Sequence, residues 1–195
     1  MCDTRPVQEW TIVIPVRDAA SPSKSRFGAG DNRELALAMA LDTVEAALAV
    51  ASVVVVTRGG EEFEVLGARV EQELGSGLVP ALEDALTVVH GNTAILLGDH
   101  PALRPAELRA ALLAAEEHPL AMVADSDGRG TALVAALAGA EHRLAFGEDS
   151  RAAHLALGYA ELSGDWPGLS RDIDLPEHLD GLELGPRTRR YLSRS

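Results

Sequence analysis

Three cations stand close together in the stretch RDAASPSKSR, at Arg17, Lys24 and Arg26. A lysine is a compact point charge and an arginine a planar fork, a combination suited to the outer phosphates of a nucleoside triphosphate. Solvated loop charge is the plainer alternative. The matching anions lie far along the chain: Asp99 in GDHP, and Asp172 and Asp174 in SRDIDLPEHL. The last two alternate about Ile173 with strand-like spacing, which puts both on one side. Carboxylates from two segments converging on one edge would hold a hard cation such as magnesium, which takes oxygen ligands and shares its remaining sites with phosphates. Against this, Asp99 could serve only the turn before Pro101, and Asp172 or Asp174 could be the N-cap of a helix at Pro176.

Two further clusters are Asp127-Gly128-Arg129-Gly130-Thr131 and Phe146-Gly147-Glu148-Asp149-Ser150-Arg151. Ser150 stands at a helix start, where free backbone N–H groups and its hydroxyl can receive a phosphate or carboxylate. Glu148 and Asp149 would repel such an anion unless Arg151 or a metal compensates, and ordinary capping by Asp149 or Ser150 is the rival reading. His154, four residues further on, reads as a buried or surface histidine rather than a catalytic one. Other patterns can be set aside. The glycines that should precede the lysine of a phosphate-binding P-loop are absent before Lys24, and Gly28-Ala29-Gly30 lies too far beyond the first strand for a dinucleotide fingerprint. The remaining histidines have no zinc-like spacing, there is no G-x-S-x-G elbow, and the lone Cys2 rules out an intrachain disulfide and a cysteine-built zinc site.

These residues need a scaffold, and the apolar pattern supplies one. Trp10 to Val16 is a short β-branched run and reads as a buried strand that empties into the cationic loop. Asp31-x-x-Glu34 resembles a capping box opening a helix over Asn32 to Ala51, whose apolar positions recur with helical period. Further strands are predicted at Ser52–Thr57, Ala68–Gln72, Thr93–Leu97, Leu120–Ala124 and Thr131–Leu137. Helices are predicted at Glu61–Leu66, Pro80–His90, Pro105–His118 and Ser150–Tyr159, with Ser170–Leu179 a loop leading into a short helix. Strands alternating with helices imply an α/β fold, a three-layer sandwich about a mostly parallel mixed sheet. Asp99 then follows a buried strand directly, at the carboxyl edge where open α/β sheets bind ligands.

Length and composition agree with one domain over residues 1–195, with 47% hydrophobic residues for a sizeable core. The formal charge of −13 disfavours nucleic acid or an acidic membrane face as partner, though a small anion needs only a local cation cluster. No apolar run approaches the roughly 20 residues of a membrane span. No signal peptide is visible, so the cytoplasm is the expected location.

In order along the chain, IVIPV, SKSR, RELALAMALDTVEAA, AILLGDHPALRPAEL, GRGTAL, FGEDSRAAH, RDIDLPEHL and LGPRT resemble the 2-phospho-L-lactate or phosphoenolpyruvate guanylyltransferases of coenzyme F420 biosynthesis. The likeness spans nearly the whole chain. It implies a nucleotide-diphospho-sugar-transferase-like fold, GTP as co-substrate, Mg2+, and transfer of GMP to the phosphate of a three-carbon acid. By motif it implies that Pro15, Val16, Arg17, Lys24, Arg26 and Gly77 meet the nucleotide, with Lys24 and Asp99 catalytic. Asp99, Asp172 and Asp174 are implied as metal ligands, and Thr131, Gly147 and Ser150 as the acceptor pocket. The implied partners are GTP and the phospho-acid, with no nucleic acid and no membrane; a homodimer stays open. Two positions depart from the family pattern: Gly77-Leu78-Val79-Pro80 lacks the asparagine common there, and His100 replaces a usual leucine. At this level a nucleotidyltransferase for a sugar phosphate or a pterin cofactor, or a non-catalytic nucleotide-binding relative, remains an alternative.

Overall fold

The computed structural model describes residues 9–16, 33–73, 77–173 and 181–194. Its centre is a seven-stranded sheet of β1 (Trp10–Pro15), β2 (Ser52–Thr57), β3 (Arg69–Gln72), β4 (Asn92–Leu96), β5 (Leu120–Ala124), β6 (Thr131–Ala136) and β7 (Ala160–Glu161). Their order is β3-β2-β1-β4-β6-β5-β7. Only β6 runs against its neighbours, pairing antiparallel with both β4 and β5. The apolar strand runs become parallel strands buried on both faces, as continuous Val/Ile sequences require. Alternate residues feed two cores: Ile12, Ile14, Val53 and Val55 on one face, Val13, Val54, Val56 and Ile95 on the other.

The helices follow from the same pattern. α1 (Arg33–Leu48), α2 (Glu61–Leu66), α4 (Pro105–Ala115) and α6 (Pro167–Ser170) cover the first face, through side chains such as Val44, Phe63, Leu108, Leu112 and Leu169. α3 (Leu78–Leu86) covers the second face with Ala81, Leu82 and Ala85. α5 (Ser150–Ala156) follows β6, and α7 (Pro186–Leu192) packs on α1. Burying one such leucine stabilises the fold by about 1.5–3 kcal/mol.

Element types agree with the sequence reading, while several ends differ. α3 begins two residues before Pro80, which sits in its first turn, and stops at Leu86. α4 and α5 end at Ala115 and Ala156, earlier than periodicity suggests. Three elements carried no sequence signal: β7, α6 and α7. The first two are only two and four residues long, too short to show a period.

The chain order through β1, β2 and β3 runs outward on one side of β1, and β4 then starts the other side. That reversal between β1 and β4 is the topological switch point, where ligands settle beyond the carboxyl ends of the strands.

Candidate active site

At the switch point β1 ends in Pro15 and Val16, and β4 gives way to Gly98 and Asp99. A Cβ on Gly98 would lie 3.1 Å from the Pro15 carbonyl oxygen and 3.3 Å from Val16 Cγ2. Glycine therefore lets the two strand ends approach. α1 fixes the same turn from below: Thr43 Oγ1 donates to the Met39 carbonyl at 2.9 Å and accepts the His100 N–H at 3.2 Å. The Asp99 side chain remains 29% exposed, while the His100 ring is fully buried with Nε2 3.9 Å from Asp99 Oδ1. His100 thus lies buried under the turn, beside the Asp99 carboxylate.

The second acidic segment comes to Asp99 through its backbone. Ser126 N–H donates to the Ser170 carbonyl at 2.7 Å, and Ile173 N–H donates to the Asp99 carbonyl at 3.1 Å. The stretch 170–173 is thereby strung along the carboxyl edge, with Asp172 partly exposed and Ile173 buried against Leu35 and Met39 of α1. Asp174, and with it the reading of an N-cap at Pro176, lies outside the described residues, as do Arg17, Lys24 and Arg26. Among the described residues no three His, Cys, Asp or Glu side chains cluster as a metal cage. Two all-oxygen carboxylates on adjoining segments fit magnesium, which prefers few protein ligands together with phosphate oxygens.

The other clusters meet on the same edge. Because β6 is antiparallel, its first residue, Thr131, stands beside the last residues of β4. The β5–β6 turn is held by Asp125, whose carboxylate accepts N–H groups of Arg129 at 3.0 Å and Gly130 at 2.7 Å. After β6 the chain returns across the second face and reaches this edge at Gly147, where φ is 138° and a Cβ would enter open space. Arg151 N–H donates to the Arg129 carbonyl at 3.0 Å, which ties the start of α5 to the turn. Thr131, Gly147 and Ser150 are thus brought together, Thr131 and Ser150 both nearly buried. Gly77 precedes α3.

Charge around this cluster differs from the sequence reading. Arg151 does not compensate Glu148 and Asp149; its fork is taken by Glu161, with Nε and Nη2 each 2.8 Å from a carboxylate oxygen. That bidentate bond holds the Glu161 carboxyl below the ordinary range. Arg129 supplies the balance instead, its Nε 3.0 Å from Asp149 Oδ1 and its Nη2 3.6 Å from Glu148. Asp149 occupies the N-cap with φ 55° and makes no capping hydrogen bond through its side chain. Of the buried and surface readings of His154 the structure takes the first: it is fully buried, and its ring bonds to Thr131 Oγ1 and to the Ala145 amide. Sequence reasoning missed that link. Burial lowers its pKa, with the Ser150 backbone opposing. A groove of about 680 Å³ bordered by Thr11, Ser52, Arg69 and His90 lies at the opposite, amino edge and contains none of these residues.

Among solved structures, a Desulfovibrio desulfuricans protein classed with the nucleotide-diphospho-sugar transferases superposes with a TM-score of 0.65 at 13% identity, over 94% of this chain and 95% of that one. A nucleotidyl transferase from Methanothermobacter gives 0.58 at 22% identity, over 95% and 98%. Both share the fold. Two sequence relatives are much nearer, each named phosphoenolpyruvate guanylyltransferase. The Geodermatophilus obscurus protein is 43% identical, covering 95% of this chain and 95% of its own; that of Salinispora arenicola is 44% identical, covering 93% and 92%. The family model described as "Guanylyl transferase CofC like" matches residues 10–160. With its switch-point aspartate, its sheet order and these relatives, the chain belongs to the CofC-like guanylyl transferase family and is an enzyme.

Proposed function

We propose that the enzyme transfers GMP from GTP to the phosphate of phosphoenolpyruvate, releasing pyrophosphate, in coenzyme F420 biosynthesis. Relatives more than 40% identical over nearly the full chain and named for that activity support the choice of nucleotide and acid. The observation that carries the chemistry is the shared edge: Asp99 and Asp172 stand on adjoining segments, and Thr131, at the start of the antiparallel strand beside them, is tied through His154 to α5, whose first residue Ser150 donates its N–H to the Gly147 carbonyl at 3.2 Å.

The second pKa of a phosphate monoester is near ~6, so at neutral pH the acceptor is largely dianionic and needs no strong protein base. One of its oxygens attacks the α-phosphorus of GTP in line. The bond from that phosphorus to the bridging oxygen breaks, and pyrophosphate leaves with the electron pair. What the protein must supply is alignment and charge neutralisation. In this reading Lys24, Arg17 and Arg26 neutralise the outer phosphates, while the strand end at Pro15 and Val16 and the turn at Gly77 border the nucleotide. Asp99, with Asp172 and Asp174, would hold magnesium, which when bound shields phosphate charge. Thr131, Gly147 and Ser150 receive the acid.

A pyrophosphate-release assay tests the reading. GTP, ATP and CTP are each offered with phosphoenolpyruvate, 2-phospho-L-lactate or 3-phosphoglycerate in the presence of magnesium. The expected outcome is fastest release with GTP and phosphoenolpyruvate. Preference for another nucleotide, or no release with any acid, would overturn it.

A further inference from the structure

We propose that His154 is a positioning residue for the acceptor, acting through Thr131. This rests on the reading of Thr131, Gly147 and Ser150 as the acceptor pocket. The ring lies behind that pocket, fully buried, and reaches its parts from one place. Nε2 accepts the Ala145 N–H at 3.1 Å. A backbone amide can only donate, so Nε2 carries no proton and the neutral ring bears its hydrogen on Nδ1. Nδ1 is 3.0 Å from Thr131 Oγ1, so Nδ1–H donates and the hydroxyl oxygen accepts. A hydroxyl whose oxygen is so engaged offers its own proton as a donor, which is what a carboxylate or phosphate requires. The other contact holds Ala145, two residues before Gly147, and so sets the approach to the turn that borders the same pocket. Phe146 and Tyr159 pack edge-on against the ring, with centroids 5.2 Å away in each case, and fix its plane.

The ring touches no reacting atom, and its effect should therefore appear in the affinity for acid and not for nucleotide. His154→Leu removes both hydrogen bonds and should raise the KM for phosphoenolpyruvate about tenfold, leaving the KM for GTP within about twofold. His154→Gln can donate to Thr131 and accept from Ala145, and should stay near wild type. Thr131→Val should raise the acid KM, and adding His154→Leu to it should raise the KM further by clearly less than His154→Leu does in the wild type, because only the Ala145 contact is then left to lose. Additive losses, an equal rise in both KM values, or a wild-type acid KM in His154→Leu with Thr131→Val impaired would each overturn the inference and leave the pocket standing. An unchanged acid KM in Thr131→Val would overturn the pocket reading, and the inference with it. Should His154→Leu not fold, the 15N imidazole spectrum of the wild-type protein decides: an Nδ1–H tautomer whose signal moves on titration with phosphoenolpyruvate supports the inference. An Nε2–H tautomer, or a signal that the acid leaves in place, overturns it.

Discussion

At the scale of single residues, main-chain contacts hold the turn that carries Asp99. Thr43 holds the amide of the next residue and Ile173 N–H binds its carbonyl, so replacing the carboxylate should leave the turn intact. Asp99→Asn is expected to abolish magnesium-dependent turnover with an unchanged circular dichroism spectrum; near wild-type rate at saturating magnesium would make it a turn residue only. His142 illustrates the opposite case, a group with a structural task. It bridges Thr93 and Tyr159, at 3.0 and 3.1 Å, toward the amino end of β4. Burial pushes its pKa down to about 4, opposed by the Thr93 backbone and aided by the nearby His154. Below the ordinary value near ~6.5 the unfolded chain takes up a proton that the folded chain resists. Stability is therefore full above that pH and falls as pH drops toward about 4, by about 3 kcal/mol at most. Urea midpoints at neutral pH and in mild acid should show this, and His142→Gln should flatten the decline.

At the scale of elements, the C-terminal helix explains why LGPRT belongs with the site. The Asp42 carboxylate, 1% exposed on α1, accepts the N–H of Thr188 at 2.8 Å and of Arg187 at 3.1 Å, and Arg187 closes over it. Gly185 N–H donates to the Pro101 carbonyl at 2.6 Å. α7 is so locked to α1 and to the turn after Asp99. Its Tyr191 and Leu192 pack against the small cluster of Leu35, Met39 and Ile173, and Ile173 carries the backbone link to Asp99. Asp42→Ala strands two backbone donors and should cost about 2–3 kcal/mol in a denaturation midpoint. Turnover should fall with it, since the segment bearing Asp172 loses its backing. A variant with full activity and loosened α7 would separate the helix from the site.

At the scale of the whole molecule, the proposed nucleotide and acceptor ends are built by different parts of the sheet and should fail independently. The cationic loop follows β1, whereas Thr131 opens β6 and Gly147 and Ser150 lie at the approach to and start of α5, across β4. Lys24→Ala should raise the KM for GTP and leave that for the acid nearly unchanged. Gly147→Val puts bulk into open space at a backbone angle that valine tolerates poorly, and should block the acid while calorimetry still detects GTP. Ser150→Ala is the milder version, losing about 1–3 kcal/mol of acid binding. Equal loss of both ligands in the Gly147 and Ser150 variants would mean that the start of α5 supports the fold and not the acceptor.

The sequence by itself determined the parts. Short apolar runs such as SVVVVT and TAILL, bounded by turn residues, read as buried strands, RELALAMALDTVEAAL reads as a helix with apolar residues to bury, and an aspartate just after a buried strand stands at its carboxyl edge. Periodicity says which face of an element is apolar, but not which element lies beside it. Tertiary structure alone decided that β6 runs backward and brings Thr131 next to β4, that Ile173 hydrogen-bonds Asp99, and that Arg129 rather than Arg151 balances Asp149. The pairing of His154 with Thr131 spans 23 residues, and that of Asp42 with Thr188 spans 146. Such contacts are set by packing across the sheet and by the need of buried polar groups for partners, neither of which is encoded at local spacing.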